Sequence, residues 1–225
     1  MTKSKSGFLN ILRSSLLDLE LNLQYRNGVE EPMTLSVLGL ACSPRRNGNT
    51  TRLLLEAMDS AKAEGHTTEL VYLTDLNIHP CHGCGACSDK GICVIKDDIP
   101  KLQEKLIQAD RLILAAPIFM MALNAQTKII IDRMQTFWAL KYLHHQTLIN
   151  PSGFERVGLF LGAAGTKKPD VFDCAERSIK TLFHMLDIRY AQPCLYSGID
   201  KAGEINEHPT AFGEVRKATQ ALMIY

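Results

Sequence analysis

The sequence has no excess of either charge, no long apolar run and no even set of cysteines, and each absence closes off a class of protein. Lysine and arginine total 25 against 24 aspartate and glutamate, a formal net charge of +1. Nucleic acids and anionic membranes select for a clear positive excess, so neither is an expected partner. The longest apolar stretch, Leu112–Leu123, is too short for a membrane span and is broken by Pro117. Lys3 and Lys5 precede Phe8–Leu12, but Arg13, Asp18 and Glu20 interrupt the run, and no small-residue cleavage site follows. A cytoplasmic location is expected. Thiols stay reduced there, so the seven cysteines read as metal or redox ligands rather than as a disulfide framework.

What is present is ordinary globular composition, 46% hydrophobic and 22% charged, in 225 residues. That is room for one well-buried domain and an appendage. In residues 1–33, Phe8, Leu9, Leu12, Leu16, Leu19 and Leu23 recur at helical spacing until Gly28 and Pro32 stop the pattern. This N-terminal extension reads either as a helix packed on its own domain or as an arm reaching a second subunit.

From residue 34 to 225 strands and helices alternate, the pattern of a parallel sheet covered on both faces. Strands are expected at Leu35–Ala41, Leu70–Leu73, Arg111–Ala116, Val157–Leu161 and 190–197. Helices are expected at Thr50–Ala63, Asp98–Ala109 (with Asp98 as cap), Ala125–Trp138, Val171–Leu186 and Thr210–Leu222. Right-handed crossovers then give an α/β, flavodoxin-like three-layer sandwich with a five-stranded parallel sheet of order 2-1-3-4-5. Ligands of such sheets bind beyond the carboxyl ends of the strands, where the winding reverses between the first and third. The loops there are 43–49 and 117–124. The loop at 162–167 and a long Cys/Gly-rich loop at 79–97 are expected on the same edge.

The first of these loops reads Ser43-Pro44-Arg45-Arg46-Asn47-Gly48-Asn49-Thr50. It joins a strand to a helix, so unpaired amides and the positive helix end face the crevice. Ser43, Asn49 and Thr50 add hydroxyl and amide donors, Arg45 a fork for phosphate oxygens, and Gly48 room for close approach. A phosphate monoester fits that lining. There is no G-x-x-x-x-G-K-[ST] and no G-x-G-x-x-G. Cys42 lacks the arginine of a C-x5-R phosphatase loop, since Gly48 stands six residues on.

Leu40 to Thr50 resembles the phosphate loop of the NADPH-dependent FMN reductase superfamily, written G-S-P-R-x-x-G-N-T. Asp97-Asp98-Ile99, Pro117-Ile118-Phe119 and Ala125 to Arg133 match further blocks of that family in order. The resemblance implies FMN as cofactor and NAD(P)H as co-substrate. Its phosphate would lie on Ser43, Arg45, Asn47, Gly48, Asn49 and Thr50. Pro117, Ile118, Phe119 and Met120 would border the isoalloxazine ring, with Gly162, Ala163 and Gly165 across from them. A homodimer or homotetramer is implied too, with Trp138, Tyr142, His144 and His145 as candidates for the contact. Phe119, Asn124 and Cys42 depart from the family's usual tyrosine, serine and glycine, and the second change removes one hydroxyl donor.

Cys81, Cys84, Cys87 and Cys93 form C-x2-C-x2-C-x5-C. One zinc is usually held by two separated cysteine knuckles, whereas three cysteines at successive three-residue steps wrap a larger object. Gly83, Gly85 and Gly91 ease the tight loop. The spacing resembles the iron-sulfur flavoproteins, a branch of the same superfamily, and implies a [4Fe–4S] cluster. Zinc or a reduced, metal-free loop is also compatible with it. His79 and His82 read as solvated, and Cys174 and Cys194 as core residues. The expected function is an FMN-dependent oxidoreductase passing electrons between NAD(P)H or a carrier protein and an acceptor. A cluster-free flavin or quinone reductase and a non-enzymatic redox carrier or sensor are the alternatives.

Overall fold

In a computed structural model, the structure describes residues 33–146 and 150–225. The helical pattern expected at Phe8–Leu23 lies outside these residues. Strands β1 (Ser36–Ala41), β2 (Thr67–Tyr72), β3 (Arg111–Phe119), β4 (Ala122–Leu123), β5 (Val157–Ala164), β6 (Arg189–Tyr190) and β7 (Cys194–Ser197) form one sheet. Helices are α1 (Asn49–Ala63), α2 (Ala86–Lys90), α3 (Ile99–Gln108), α4 (Ala125–Arg133), α5 (Gln135–Tyr142), α6 (Asp173–Met185) and α7 (Ala211–Ile224). The sheet runs β2-β1-β3-β5-β6, with β7 also on β5 and β4 antiparallel on the end of β3. Among the described residues no helix is long and apolar enough to cross a membrane.

The core order matches the expected 2-1-3-4-5, with β5 fourth and the fifth position shared. That fifth strand is broken: β6 pairs with Val157–Gly158 and β7 with Leu161–Ala164. Pro193 lies between them and has no N–H to give the ladder. The helix expected at Ala125–Trp138 is likewise two helices meeting at Met134, whose amide is shared by the Ile130 and Ile131 carbonyls, both at 3.1 Å. The strand expected at Leu70–Leu73 starts earlier, at Thr67. It is an edge strand whose outward positions stay half-exposed, which hides it from a search for apolar runs.

The central strands read as continuous apolar runs because both faces are covered. Val37 and Ala41 of β1, Ile113 and Ala115 of β3, and Val157, Leu159 and Leu161 of β5 face α1 and α7. Leu38, Leu40, Leu112, Leu114 and Phe160 face α3, α4, α5 and α6. Just before β5, the buried Arg156 guanidinium closes two helix ends, those of α3 and α6. It donates to the carbonyls of Ala109 (3.0 Å) and Leu186 (2.7 Å) and to that of Leu106. Burial pulls its pKa down to about 10, so it stays charged near neutrality.

Arg156→Met would strand those carbonyls in the core. It should cost about 3 kcal/mol, read as a lowered urea midpoint with unchanged slope.

Candidate functional site

The loop between β1 and α1 is held in shape by its own backbone. Ser43 Oγ accepts the Arg45 N–H at 3.1 Å, and the Arg45 carbonyl accepts the Gly48 N–H at 3.0 Å and the Thr51 hydroxyl at 3.3 Å. Helical bonding begins only with Arg52 N–H to the Gly48 carbonyl at 3.1 Å, so the amides of Asn49, Thr50 and Thr51 are not spent by the helix. No acidic side chain stands in that first turn to compete for them. Thr50 Oγ1 is buried and has no hydrogen-bond partner. A Cβ at Gly48 would meet Ser43 Oγ at 2.9 Å and the Arg45 carbonyl at 3.1 Å, so only glycine keeps this cradle open.

Ser43, Arg45, Gly48, Asn49 and Thr50 line a pocket of about 110 Å³ together with Pro117, Ile118 and Phe119 of β3, Ala163 near the end of β5 and Gly165 just past it. It lies where the winding reverses between β1 and β3, as open parallel sheets lead one to expect. Arg45 lines it, while Arg46 is drawn away by an ion pair with Asp75 and sits 4.4 Å over the Tyr72 ring. Asn49 lines the pocket too, but its side-chain amide is committed to the loop after β7. Its Nδ2 donates to the Lys201 carbonyl (2.9 Å) and its Oδ1 accepts the Gly203 and Ile205 amides (3.0 and 3.3 Å).

Three of the residues expected here do not line the pocket. Asn47 turns its carbonyl to Arg52 Nε, Met120 stands 97% exposed at the tip of the β3–β4 hairpin, and Gly162 lies inside β5. A Cβ on Gly162 would meet Leu195 at 2.8 Å, so its smallness serves packing against β7. Two lining residues were not expected, Ile199 and Asp200, from the loop after β7. That loop also opens on the carboxyl edge of the sheet, and this position alone would have pointed to it. Asn124 is buried and ties the strand to the helix, donating to the Cys42 carbonyl at 2.8 Å and accepting the Thr127 hydroxyl at 2.5 Å. Cys42 is enclosed, and burial pushes its thiol up to about 12, which removes it as a nucleophile.

Cys81, Cys84, Cys87 and Cys93 line a second cavity of about 430 Å³, shared with His82, Asp132 and Gln135. It shares no lining residue with the first pocket. Gly83, Gly85 and Gly91 all take positive φ, and the Gly83 amide reaches Cys81 Sγ at 3.5 Å. Burial raises the Cys87 thiol, and the neighbouring Cys81 and Cys93 add to the rise. Among the described residues no three His, Cys, Asp or Glu side chains converge on one ion-sized point. Cys174, expected in the core, is exposed on α6, because its helical position turns outward.

One buried ion pair closes the base of this loop. Arg133 Nη1 and Nη2 grip the Asp97 carboxylate at 2.5 and 3.0 Å, with both side chains almost fully enclosed. Asp97 also accepts the His79 and Ile99 amides (3.0 and 3.1 Å), and Arg133 donates to the His79 carbonyl at 2.7 Å. Both ends of the loop therefore hang on the same two side chains. Asp97, not Asp98, makes the side-chain bond to the first turn of α3; Asp98 turns its carboxylate to the Asn77 amide.

Burial alone would raise the Asp97 pKa, but the Arg133 contact and the two amides outweigh it and hold the carboxyl below its usual value. A depressed folded pKa adds stability that is present above the unfolded value and lost as pH falls through the folded one. The clasp should therefore survive acidification until below roughly pH 4. Asp97→Ala should cost about 3 kcal/mol and open the loop to trypsin at Lys90 and Lys96.

Residues 35–199 match the family described as NADPH-dependent FMN reductase. An iron-sulfur flavoprotein of Methanocaldococcus jannaschii is 39% identical over 99 residues, 44% of this chain and 51% of that protein. One from Archaeoglobus fulgidus is 35% identical over 136 residues, 60% of this chain and 58% of its own. The chain thus spans about half the length of the curated relatives it matches. Among solved structures, an NAD(P)H:quinone oxidoreductase from Methanothermobacter marburgensis superposes with a TM-score of 0.66 at 17% identity. It covers 85% of this chain and 98% of that one, which shows a shared fold. The family match runs from just before β1 into the loop after β7 and takes in all four cysteines of the second cavity: the chain belongs to the NADPH-dependent FMN reductase family, and iron-sulfur flavoproteins are among its sequence relatives.

Proposed function

We propose that this chain is an FMN-dependent oxidoreductase that takes electrons from NAD(P)H or a carrier protein and carries a [4Fe–4S] cluster on Cys81, Cys84, Cys87 and Cys93. The observation that supports flavin binding most strongly is the unpartnered Thr50 hydroxyl beside three unspent helix amides. A buried hydroxyl without a partner costs about 1–3 kcal/mol, and a phosphate oxygen would relieve it. Ser43 and Arg45 stand on the same wall, and Gly48 leaves the room. The cysteine cavity supports the second group by its donors. Four thiols surround a space larger than one ion, and zinc needs its sulfurs within about 2.3 Å of a single point.

FMN, when bound, supplies hydride and single-electron chemistry, and a cluster supplies single-electron transfer. The protein's part is to bind and orient. The α1 amides, Thr50 and Arg45 fix the phosphate end, and Pro117–Phe119 and Ala163–Gly165 set the walls along which a flat ring would lie. No side-chain acid or base is required of the chain. Phe119 and Met120, exposed beside the pocket, favour a second copy of this chain as its cover. A homo-oligomer is the proposed working form.

Anaerobic purification with flavin, iron and sulfide analysis tests the assignment, together with NAD(P)H oxidation in the presence of a quinone. Flavin with about four irons and four sulfides per chain is expected. Flavin without iron would leave a cluster-free reductase. Thr50→Val removes the unsatisfied hydroxyl at constant shape. It should weaken FMN by at least about tenfold while leaving the flavin-free chain as stable as before or slightly more so. Gly48→Ala should abolish tight FMN binding by filling the cradle. Both are read by flavin fluorescence titration.

A further inference from the structure

The loop after β7 brings a carboxylate into the pocket of the phosphate loop. Asp200 lines it together with Ser43, Arg45 and Thr50, and is the one acidic residue among those lining it. Its place is set by the backbone around it. The Ile199 N–H donates to the Ala164 carbonyl at 2.9 Å, and the Asp200 and Lys201 amides donate to Glu204 Oε2 at 2.7 and 2.8 Å. The Lys201 carbonyl accepts the Asn49 side chain at 2.9 Å, so the loop hangs on the end of β5 and on the start of α1. The Asp200 carboxylate lies against Gly165, where an added Cβ would stand 2.9 Å from Oδ1 and 3.1 Å from Cγ. Glycine at 165, itself a lining residue, leaves that space to the carboxylate. The bonds of this loop use its amides and Glu204 and, among the described residues, leave the Asp200 oxygens without a donor.

A carboxylate accepts hydrogen bonds and offers none. A phosphate is an anion as well, so Asp200 opposes that end of a ligand instead of holding it. A molecule that suits both the α1 amides and Asp200 therefore carries an anion and, beside it, hydrogen-bond donors. An apolar chain at that place would strip water from the carboxylate and return nothing. We infer that Asp200 is a specificity-determining residue of the pocket, whose carboxylate accepts the hydroxyls of the chain between ring and phosphate, so that the site selects a polyol phosphate. This rests on the FMN reading given above, since the ribityl chain of FMN carries such hydroxyls. Hydrogen bonds to a charged acceptor are among the strong ones, which makes the loss of this one measurable.

The test uses the full chain and two ligands, FMN and an analogue in which an unbranched alkyl chain without hydroxyls joins the same ring and phosphate. Affinities are read by flavin fluorescence titration. Asp200→Ala is expected to weaken FMN by about tenfold and to leave the analogue unchanged, the signature of a coupling between the carboxylate and the hydroxyls. Asp200→Asn keeps the shape and one acceptor oxygen and should weaken FMN by less; it carries the test where the alanine variant loses its fold. Equal losses for both ligands, or FMN held as tightly or more tightly by either variant, overturn this inference alone. A wild-type chain that binds neither ligand overturns the FMN reading and this inference with it.

Discussion

The structure turns on one junction, the passage from β1 into α1 at 42–50. A strand buried on both faces ends there, and a helix begins at once with three amides unbonded and no side-chain cap. Caps normally satisfy such amides. Here Gly48 occupies the cap position, and the hydroxyl that might have served, Thr51, is turned back to the Arg45 carbonyl. The loop is therefore built to be completed from outside. Everything else that matters to the site is arranged around this: β3 and β5 bring up the walls, and Asn49 pins the 201–205 loop across the helix start.

The cysteine loop has a different support. A loop of this length normally costs order, and a single Arg133–Asp97 pair gathers its two ends against α4. Burying two charges is costly unless the pair is well made and its remaining polar atoms are satisfied. Asp97 meets that condition through two amides; Arg133 meets it at every donor but Nε. The clasp also holds the cysteine loop beside the end of α4, where Asp132 lines its cavity.

Much of this was legible in the chain. The apolar runs at Leu35–Ala41 and Arg111–Ala116 mark strands covered on both sides, and the polar strand-to-helix loop at 43–50 marks a wall of the pocket. What escaped has physical causes. Thr67–Leu70 alternates because β2 is an edge, and Pro193 splits the strand expected at 190–197 into two pieces on β5. Asn49 looks like a phosphate donor, yet its amide is taken by contacts more than 150 residues away, which no local pattern reveals. Ile199 and Asp200 reach the pocket by the same long-range route. Asp97 and Arg133 sit in recognisable blocks, but their partnership across α3 and α4 needs the fold to be seen.

The central claim is that a phosphate monoester is what the α1 amides and Thr50 await. Its most direct measure is the ratio of affinities for FMN and riboflavin, which share the ring and the ribityl chain and differ in the phosphate alone. Binding of FMN at least a hundredfold tighter, about 2.7 kcal/mol, is the result this account predicts. Equal affinities, or no flavin bound at all, would contradict it.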